Sequence, residues 1–337
     1  MFKKRLVVFL GIAALCSISL WAGGKTEKQP GDSSTTRIGI AKLLSHPALD
    51  AAEKGIVDHL TSTGLPVSFD YQNANGDVST SASIAQKFKS DGMDIVVGIA
   101  TPTAQALANV FTDVPVVFTA VTDPVIAALV PSLAGSADSN VTGVTDASPI
   151  KSQLGLLQSL SGAKSVGMIY SSGEANAVVQ MEEANIAAKE LGLTLVTSSV
   201  ANSAEVRLAT QSIIDRVDAI FISTDNTVAS AMSSVADVAS RAKKPLMGSD
   251  PSATQGLDFL VSWGFNYYNI GIATGKVVEQ IIKGVPAGTI PTVSLSDPAD
   301  FELWFNLDVA ERLGITIPQD LLDSAAVLVK DGQDIRN

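Results

Sequence analysis

Short apolar runs alternate with amphipathic segments along most of the chain, and nearly every run ends in a cluster of polar residues. The runs carry valine, isoleucine and alanine at consecutive positions, which is typical of strands buried on both faces of a parallel sheet. Predicted strands lie at 37–44, from 66 onward, and at 94–100, 114–121, 163–170, 193–200, 218–224, 244–250 and 258–265. Segments with helical spacing predict helices at 48–64, 80–90, 101–111, between 171 and 191, and at 205–216, 225–242 and 267–283.

This order predicts two βαβαβ halves at roughly 37–146 and 147–263, as in doubly wound parallel sheets. After Lys283 the pattern loosens and adds a strand and short helices, which indicates a chain that returns to complete both halves. We therefore predict an α/β fold with two doubly wound, Rossmann-like lobes joined by a multi-crossing hinge. The first lobe is expected to take in about 264–290, and the second about 291–337.

The N-terminus has the pattern of an export signal. Residues 1–22 combine three basic residues with an apolar run and end in small residues, so we expect a cleaved signal peptide. Cys16 lies inside the apolar run and is either removed or lipid-modified, although Leu15 fits a lipidation site poorly. Residues 23–36 are polar and predict a flexible linker. We expect a periplasmic or extracytoplasmic protein, with anchoring through Cys16 or an uncleaved signal as the alternative.

The charge and composition of the chain limit the kinds of partner that it can bind. The chain has 34 acidic and 23 basic residues, a net charge of −11, and removal of residues 1–22 makes the balance −14. A protein this acidic, without a basic stripe, is a poor candidate for nucleic acid or anionic membrane surfaces. The hydrophobic set is 46% but aromatic residues only 5%, so aliphatic side chains must build the core.

Catalytic and metal-binding motifs are absent from the sequence. One cysteine and two histidines allow no disulfide framework and no zinc cluster, so we predict neither metal nor cofactor. The motifs GxSxG, GxxxxGK[ST] and a GxGxxG after the first strand are all missing. His46 is interpreted as a strand-end cap rather than a base. An enzyme on this architecture remains an alternative, but the only cysteine lies in the export segment, so we predict no enzymatic activity.

Polar residues at the carboxyl ends of the predicted strands are the candidate ligand-binding residues, because ligands of open α/β sheets lie there. Helix capping is the competing interpretation for each one. The candidates are Ser45, Thr101, Thr103, Thr122, Asp146, Ser172, Asn176, Asp225, Asn226, Ser249 and Asp250.

The chemistry of these positions suits an amino acid. Aspartates in strand-end loops pair well with an ammonium group, and helix N-termini suit a carboxylate. Phe118 and Trp263 are candidates for stacking on an apolar ring, with core packing as the alternative.

Six segments of the chain resemble the ABC-type substrate-binding family that includes the tryptophan/tyrosine-binding proteins. They are HPALDAAEKGI (46–56), PVVFTAVTDPV (115–125), NVTGVTDASPIKSQL (140–154), YSSGEANAVVQ (170–180), STDNTVASA (223–231) and GFNYYNIGIATGKVVEQIIKG (264–284). The chain departs from the family at Ser171-Ser172, where Asn-Pro usually precedes Glu-Ala-Asn.

The resemblance implies a type I periplasmic-binding-protein fold with three crossing segments. It also implies an aromatic or other small amino acid as ligand, and a monomer that delivers it to an ABC permease with its ATPase subunits. Carried over by position, Thr101 and Thr103 would hold the ligand carboxylate. Asp146, Asn176 and Asp225 would surround the ammonium group, while Ser172 and Asn226 would add hydrogen bonds. A nucleoside or sugar ligand, or a sensor role for a membrane receptor, stays open as an alternative.

Overall fold

The structure is a computed structural model that describes residues 35–335. The predicted signal at 1–22, with Cys16, lies outside the described residues, as does all but the end of the predicted linker at 23–36. Within residues 35–335, no helix combines the length and the apolar character needed to cross a membrane.

Strands and helices alternate along the described chain. The strands are β1 Thr36–Lys42, β2 Val67–Asn73, β3 Ile95–Ile99, β4 Val116–Val121, β5 Val141–Thr145, β6 Ser165–Ser171, β7 Thr194–Val200, β8 Ala219–Ile222, β9 Leu246–Gly248, β10 Val261–Phe265, β11 Val293–Ser294, β12 Phe301–Asn306, β13 Val327–Lys330 and β14 Gln333–Ile335. The helices are α1 Pro47–Ser62, α2 Val78–Asp91, α3 Thr101–Val110, α4 Ile150–Ser161, α5 Ala175–Glu190, α6 Val206–Ile213, α7 Asn226–Ala229, α8 Met232–Arg241, α9 Pro251–Thr254, α10 Tyr267–Ile282, α11 Leu307–Leu313 and α12 Gln319–Ser324.

Two separate sheets confirm the predicted two-lobed α/β fold. The first has the order β11-β5-β4-β3-β1-β2, and all of its pairings are parallel. The second has the order β14-β13-β12-β10-β9-β8-β6-β7, with antiparallel pairings only at β10–β12 and β13–β14 among the described strands. Their cores are mainly aliphatic, as the composition indicates.

The chain crosses between the sheets three times: after β5, after β10, and between β11 and β12. The second crossing is fixed by close packing of α10 on α1 of the first lobe. A Cβ added at Gly271 would lie 2.1 Å from the carbonyl oxygen of Ala52, and one added at Gly55 would lie 2.3 Å from that of Tyr268. Only glycine allows the two helix backbones to approach so closely, so the crossing depends on these two residues.

Two details differ from the sequence-based expectation. The helix predicted over 225–242 is divided into α7 and α8, because the Ser230 hydroxyl bonds the Thr227 carbonyl and Ala231 leaves helical dihedral angles. The strand β11 pairs with β5 of the first sheet, although the expected second lobe includes 291–337. We keep the lobe division as a proposal, with β11 moved to the first lobe.

Candidate functional site

The carboxyl ends of strands from both sheets face one narrow cavity between the lobes, with about 10 Å³ of free space. The cavity is lined by His46, Leu49, Ala120, Thr122, Asp146, Asn176, Ser223, Thr224, Asp225, Asn226, Ala229, Met232, Asp250 and Tyr267. None of these described residues is a lysine or an arginine.

Asp225 follows β8 and caps the N-terminus of α7. Its Oδ1 accepts a hydrogen bond from the Val228 backbone N–H at 3.0 Å, and its Oδ2 accepts one from the Ser171 backbone N–H at 2.5 Å. The residue is only 1% exposed. Burial, assisted by the negative charge of nearby Glu174, raises the pKa of Asp225 to about 7. The carboxyl group is therefore poised to change its charge near neutral pH.

Glu174 lies behind the cavity lining and holds the two residues that follow Asp225, Asn226 and Thr227. Its carboxylate accepts hydrogen bonds from Asn226 Nδ2 at 2.5 Å and from both the backbone N–H and the hydroxyl of Thr227, at 2.9 and 2.6 Å. Because the Asn226 amide nitrogen is committed to Glu174, its Oδ1 is left to accept from another group. Glu174 thus fixes the orientation of the Asn226 side chain.

Asp250 follows β9 and caps the short helix α9. With Asp225 and Asn226 it belongs to the part of the cavity lining that the second lobe supplies, which we call the second-lobe wall; the lining from the first lobe is the first-lobe wall. It accepts hydrogen bonds from the backbone N–H and the hydroxyl of Ser252, at 2.9 and 2.6 Å. Burial raises the pKa of Asp250, and the proximity of His46 opposes that shift. The second lobe therefore brings two buried aspartates to the cavity, each held by backbone groups.

Asp146 is the acidic residue of the first-lobe wall and directly follows β5. The Tyr267 hydroxyl donates to its Oδ2 at 2.7 Å, and the Thr122 hydroxyl donates to its Oδ1 at 3.2 Å. Burial raises the pKa of Asp146, and Asp250 raises it further by charge repulsion. Three buried carboxyl groups consequently surround one small space.

One part of the cavity lining is apolar and lies at a β-bulge. The pairing of β4 with β5 shifts register between Thr119 and Val121, and Ala120 at the bulge has a φ of 54°. A positive φ costs a non-glycine residue about 1–3 kcal/mol, so the surrounding packing must hold it. Leu49 and Met232 extend the apolar surface from α1 and α8.

Two side-chain hydrogen bonds join the lobes across the cavity. His46 Nε2 lies 3.4 Å from Asn226 Oδ1, and Gln180 Nε2 donates to the Thr122 hydroxyl oxygen at 3.3 Å. Since Glu174 leaves only Asn226 Oδ1 facing His46, the Nε2 of the imidazole carries a hydrogen. The cleft is therefore closed in this structure.

Polar atoms without a partner among the described residues face the same cavity. They are His46 Nδ1, Asn176 Oδ1 and Ser223 Oγ, on residues that are 8%, 5% and 2% exposed. Buried polar atoms are ordinarily hydrogen-bonded, so three such atoms in one cavity indicate a polar ligand. No group of three or more metal-ligating side chains occurs in the part of the chain that the structure describes.

The structure brings six of the eleven predicted ligand-binding residues to the cavity. They are Thr122, Asp146, Asn176, Asp225, Asn226 and Asp250. Each follows a strand or begins the next helix, as predicted. Their roles toward a ligand stay predictions.

The other five residues lie outside the lining. Ser45 is exposed and bonds Asn73, and Ser172 is exposed with its hydroxyl directed at the Val200 carbonyl. Thr103 donates to the Ile99 carbonyl of the preceding strand, while Ser249 bonds Gln153 within the second lobe. Thr101 is buried at the start of α3, and its hydroxyl has no partner among the described residues. The other four hydroxyls make local hydrogen bonds away from the cavity, so strand-end position alone does not define the site.

The two aromatic candidates also lie outside the cavity lining. Phe118 is fully buried in the core of the first lobe, where the Gly143 backbone packs against its ring. Trp263 packs against the core of the second lobe, and its carbonyl accepts from Gln153. Both residues therefore contribute to core packing, which is the alternative that the sequence left open.

Sequence reasoning missed several residues of the site. His46 occupies the N-cap of α1 but makes no side-chain capping hydrogen bond, and it lines the cavity instead. Tyr267 and Ser223 also follow strands, so the strand-end rule would have found them if applied to every strand. Glu174 and Gln180 support the lining from α5 and its cap. Both lie in the segment 170–180 that resembles the family, but the strand-end rule does not select them.

Comparison with known proteins gives two sequence matches. Residues 37–329 match the family model described as ABC transporter substrate binding protein. The chain is 33% identical over 327 residues to a tyrosine-binding protein of Clostridioides difficile (strain R20291), and the match covers 93% of each chain.

Two solved structures at similar identity represent different ligand states. One is a Streptococcus ABC domain in complex with L-Trp, at 36% identity and a TM-score of 0.83, covering 88% of this chain and 100% of that one. The other is a ligand-free, open substrate-binding protein of Clostridium difficile, at 33% identity and a TM-score of 0.67, covering 88% and 99%. The backbone of this chain is thus more similar overall to that of the L-Trp complex.

Proposed function

Because the chain belongs to the ABC transporter substrate-binding protein family, we propose that it captures an aromatic L-amino acid between its lobes and delivers it to a membrane permease. Membership of the family gives the type I fold, a small-molecule ligand and the context of an ABC transporter. The tyrosine-binding relative and the neighbour with bound L-Trp support the ligand class.

The observation that carries this proposal is the set of three buried carboxyl groups. Asp146, Asp225 and Asp250 line one cavity with no lysine or arginine beside them. A ligand ammonium group supplies the missing positive charge and lets buried carboxylates stay ionised. A neutral sugar or nucleoside has no such group, so the charge pattern favours an amino acid.

The ligand carboxylate is assigned to the start of α1. His46 leaves the first N–H groups of this helix uncapped, and a helix N-terminus favours negative charge. The unpartnered Ser223 hydroxyl is a further donor, and the Nδ1 of His46 is another polar atom without a partner among the described residues. This assignment replaces the predicted carboxylate site at Thr101 and Thr103, which lie outside the cavity lining.

The ligand ring is assigned to the apolar part of the wall. Leu49 and Met232 supply aliphatic surface, and the side chains of Ala120 and Ala229 beside them are small. A methionine sulfur makes favourable contacts with aromatic rings. The proposed contacts are therefore with aliphatic groups, in place of stacking on Phe118 or Trp263.

The proposed mechanism is capture without chemistry. Ligand contacts with both walls favour the closed arrangement over the open one by their combined free energy. The closed protein, a monomer outside the cytoplasm, then docks on the permease and its ATPase subunits. The cavity groups bind and orient the ligand, and no bond is made or broken.

Isothermal titration calorimetry with L-tryptophan, L-tyrosine and L-phenylalanine tests the ligand. We expect binding of at least one of them. Tryptamine, which lacks the carboxylate, and indole-3-propionate, which lacks the ammonium group, are expected to bind far more weakly. Comparison of tryptophan with tryptamine tests the carboxylate site, because His46→Ala should weaken the binding of tryptophan more than that of tryptamine.

The same calorimetric assay tests whether the protein binds a nucleoside or a sugar instead. Binding of a nucleoside or a sugar, with no heat from any amino acid, would overturn the proposal. Delivery is tested by uptake of labelled amino acid in cells with and without the gene. Equal uptake in both would leave binding intact and remove the transport role.

A further inference from the structure

Gln180 is a fully buried glutamine in the second turn of α5, behind the cavity lining. Its Oε1 accepts hydrogen bonds from the backbone N–H and the hydroxyl of Thr224, at 3.2 and 2.8 Å. Its Nε2 lies 3.1 Å from the Thr224 carbonyl oxygen, 3.3 Å from the Asn176 carbonyl oxygen and 3.3 Å from the Thr122 hydroxyl oxygen. Thr224 belongs to the second lobe, as Gln180 does, but Thr122 follows β4 of the first lobe.

The contact with Thr122 links Gln180 to the ligand site. The Thr122 hydroxyl has one hydrogen, which it donates to Asp146 Oδ1, so its oxygen is free to accept from Gln180. An ionised Asp146 can only accept, and this fixes the direction of the hydroxyl. A chain of hydrogen bonds therefore runs from Asp146 through Thr122 to Gln180, across the cleft.

The second lobe prepares Gln180 for this contact. Its bonds to Thr224 lie within one lobe and persist when the lobes separate, so the amide nitrogen stays directed at the cleft. Closure then adds one hydrogen bond without ordering a new side chain, which avoids an entropic cost.

We propose that Gln180 is a positioning residue that latches the closed cleft by donating a hydrogen bond to the Thr122 hydroxyl oxygen. This inference rests on the proposed function. The higher similarity to the L-Trp complex than to the open relative, at nearly equal identity, supports the view that the contact belongs to the closed arrangement.

The test variant is Gln180→Met, which keeps the shape of the side chain and removes its polar atoms. We expect the aromatic amino acid to dissociate about five- to tenfold faster, because a lost hydrogen bond is worth about 1 kcal/mol or slightly more. Association should change little. Stopped-flow fluorescence measures both rates.

Gln153→Met is the matched control. Gln153 is also fully buried on a second-lobe helix, but its partners, Ser249 and the Trp263 carbonyl, both lie in the second lobe. Both variants should lower the melting temperature, but only Gln180→Met should speed dissociation. Equal dissociation rates in the two variants would overturn the latch.

Lobe separation gives a readout that needs no ligand. Spin labels at Ser83→Cys and Leu208→Cys, exposed positions on the two lobes, report the inter-lobe distance by double electron–electron resonance. Gln180→Met should shift the population toward longer distances, whereas Gln153→Met should not. If no aromatic amino acid binds the wild-type protein, the proposed function fails. The distance distributions still decide the latch, and an unchanged distribution in Gln180→Met overturns it.

A second pair of variants applies if Gln180→Met does not fold. Thr122→Val removes the hydroxyl that receives the Gln180 hydrogen bond, and Thr122→Ser keeps it. Longer inter-lobe distances in Thr122→Val but not in Thr122→Ser support the latch. The same distribution in both contradicts it.

Discussion

The two walls of the cavity are organised in different ways. On the second-lobe wall, Asp225 and Asp250 are held by backbone N–H groups of their own lobe, so they keep their positions when the cleft opens. On the first-lobe wall, His46 has its side-chain partner across the cleft, and Thr122 gains Gln180 there. The second-lobe wall is therefore preorganised for the ligand, whereas the first-lobe wall is completed by closure.

The largest expected effect tests the preorganised wall. Asp225→Asn removes the charge opposite the ligand ammonium group, so we expect about a hundredfold weaker binding of the aromatic amino acid. Truncating one partner of a buried charged pair costs about 2–5 kcal/mol or more. Calorimetry gives the affinity, and the melting temperature confirms that the variant is folded.

Asp77→Asn is the control for helix capping. Asp77 caps α2 in the same manner, accepting from the Ser79 and Thr80 backbone N–H groups, but it lies away from the cavity. Its substitution should lower stability slightly and leave affinity unchanged. If Asp225→Asn also leaves affinity unchanged, its carboxylate is a cap alone and the second-lobe wall is not the ammonium site.

A smaller effect is expected from pH. Since the pKa of Asp225 is raised to about 7, the free protein holds a proton there below neutral pH. A bound ammonium group favours the ionised carboxylate, so binding releases this proton and affinity falls as the pH drops. We expect about tenfold weaker binding at pH 6 than at pH 8, measured by calorimetry in buffers of different ionisation enthalpy.

If Asp225 causes the pH dependence of binding, the dependence should disappear when Asp225 is replaced by an uncharged residue. Asp225→Asn should bind with nearly the same low affinity at both pH values, although Asp146, Asp250 and Glu174 remain. A slope that persists unchanged in this variant would show that Asp225 is not the group that titrates.

The contrast between the walls also explains how far the sequence could predict the site. Residues such as Asp225 and Asp250 follow strands and cap helices, and both features are local, so the pattern of strands located them. The two lobes were predictable for the same reason, because consecutive apolar runs alternate with helical spacing over the whole chain.

Residues that depend on closure were not predictable in this way. Gln180 meets Thr122 only because two lobes approach each other, and nothing in its own helix marks that contact. His46 has the position of a cap, yet its side chain bonds Asn226, a residue 180 positions away. The bulge that turns Ala120 into the cavity depends on the pairing of β4 with β5, a non-local feature.

The smallest expected effect tests how the first-lobe wall holds its own carboxyl group. Tyr267→Phe removes the hydroxyl that donates to Asp146 and keeps the buried ring. A hydrogen bond of about 1 kcal/mol would be lost, so we expect roughly fivefold weaker binding by calorimetry. Tyr268→Phe is the adjacent control, because the Tyr268 hydroxyl bonds Asp58 on α1, away from the cavity, and its loss should leave affinity unchanged.

An effect of Tyr267→Phe as large as that of Asp225→Asn would mean that Asp146 carries as much of the ammonium contact as the second-lobe wall. The distinction between a preorganised wall and a wall completed by closure would then fail.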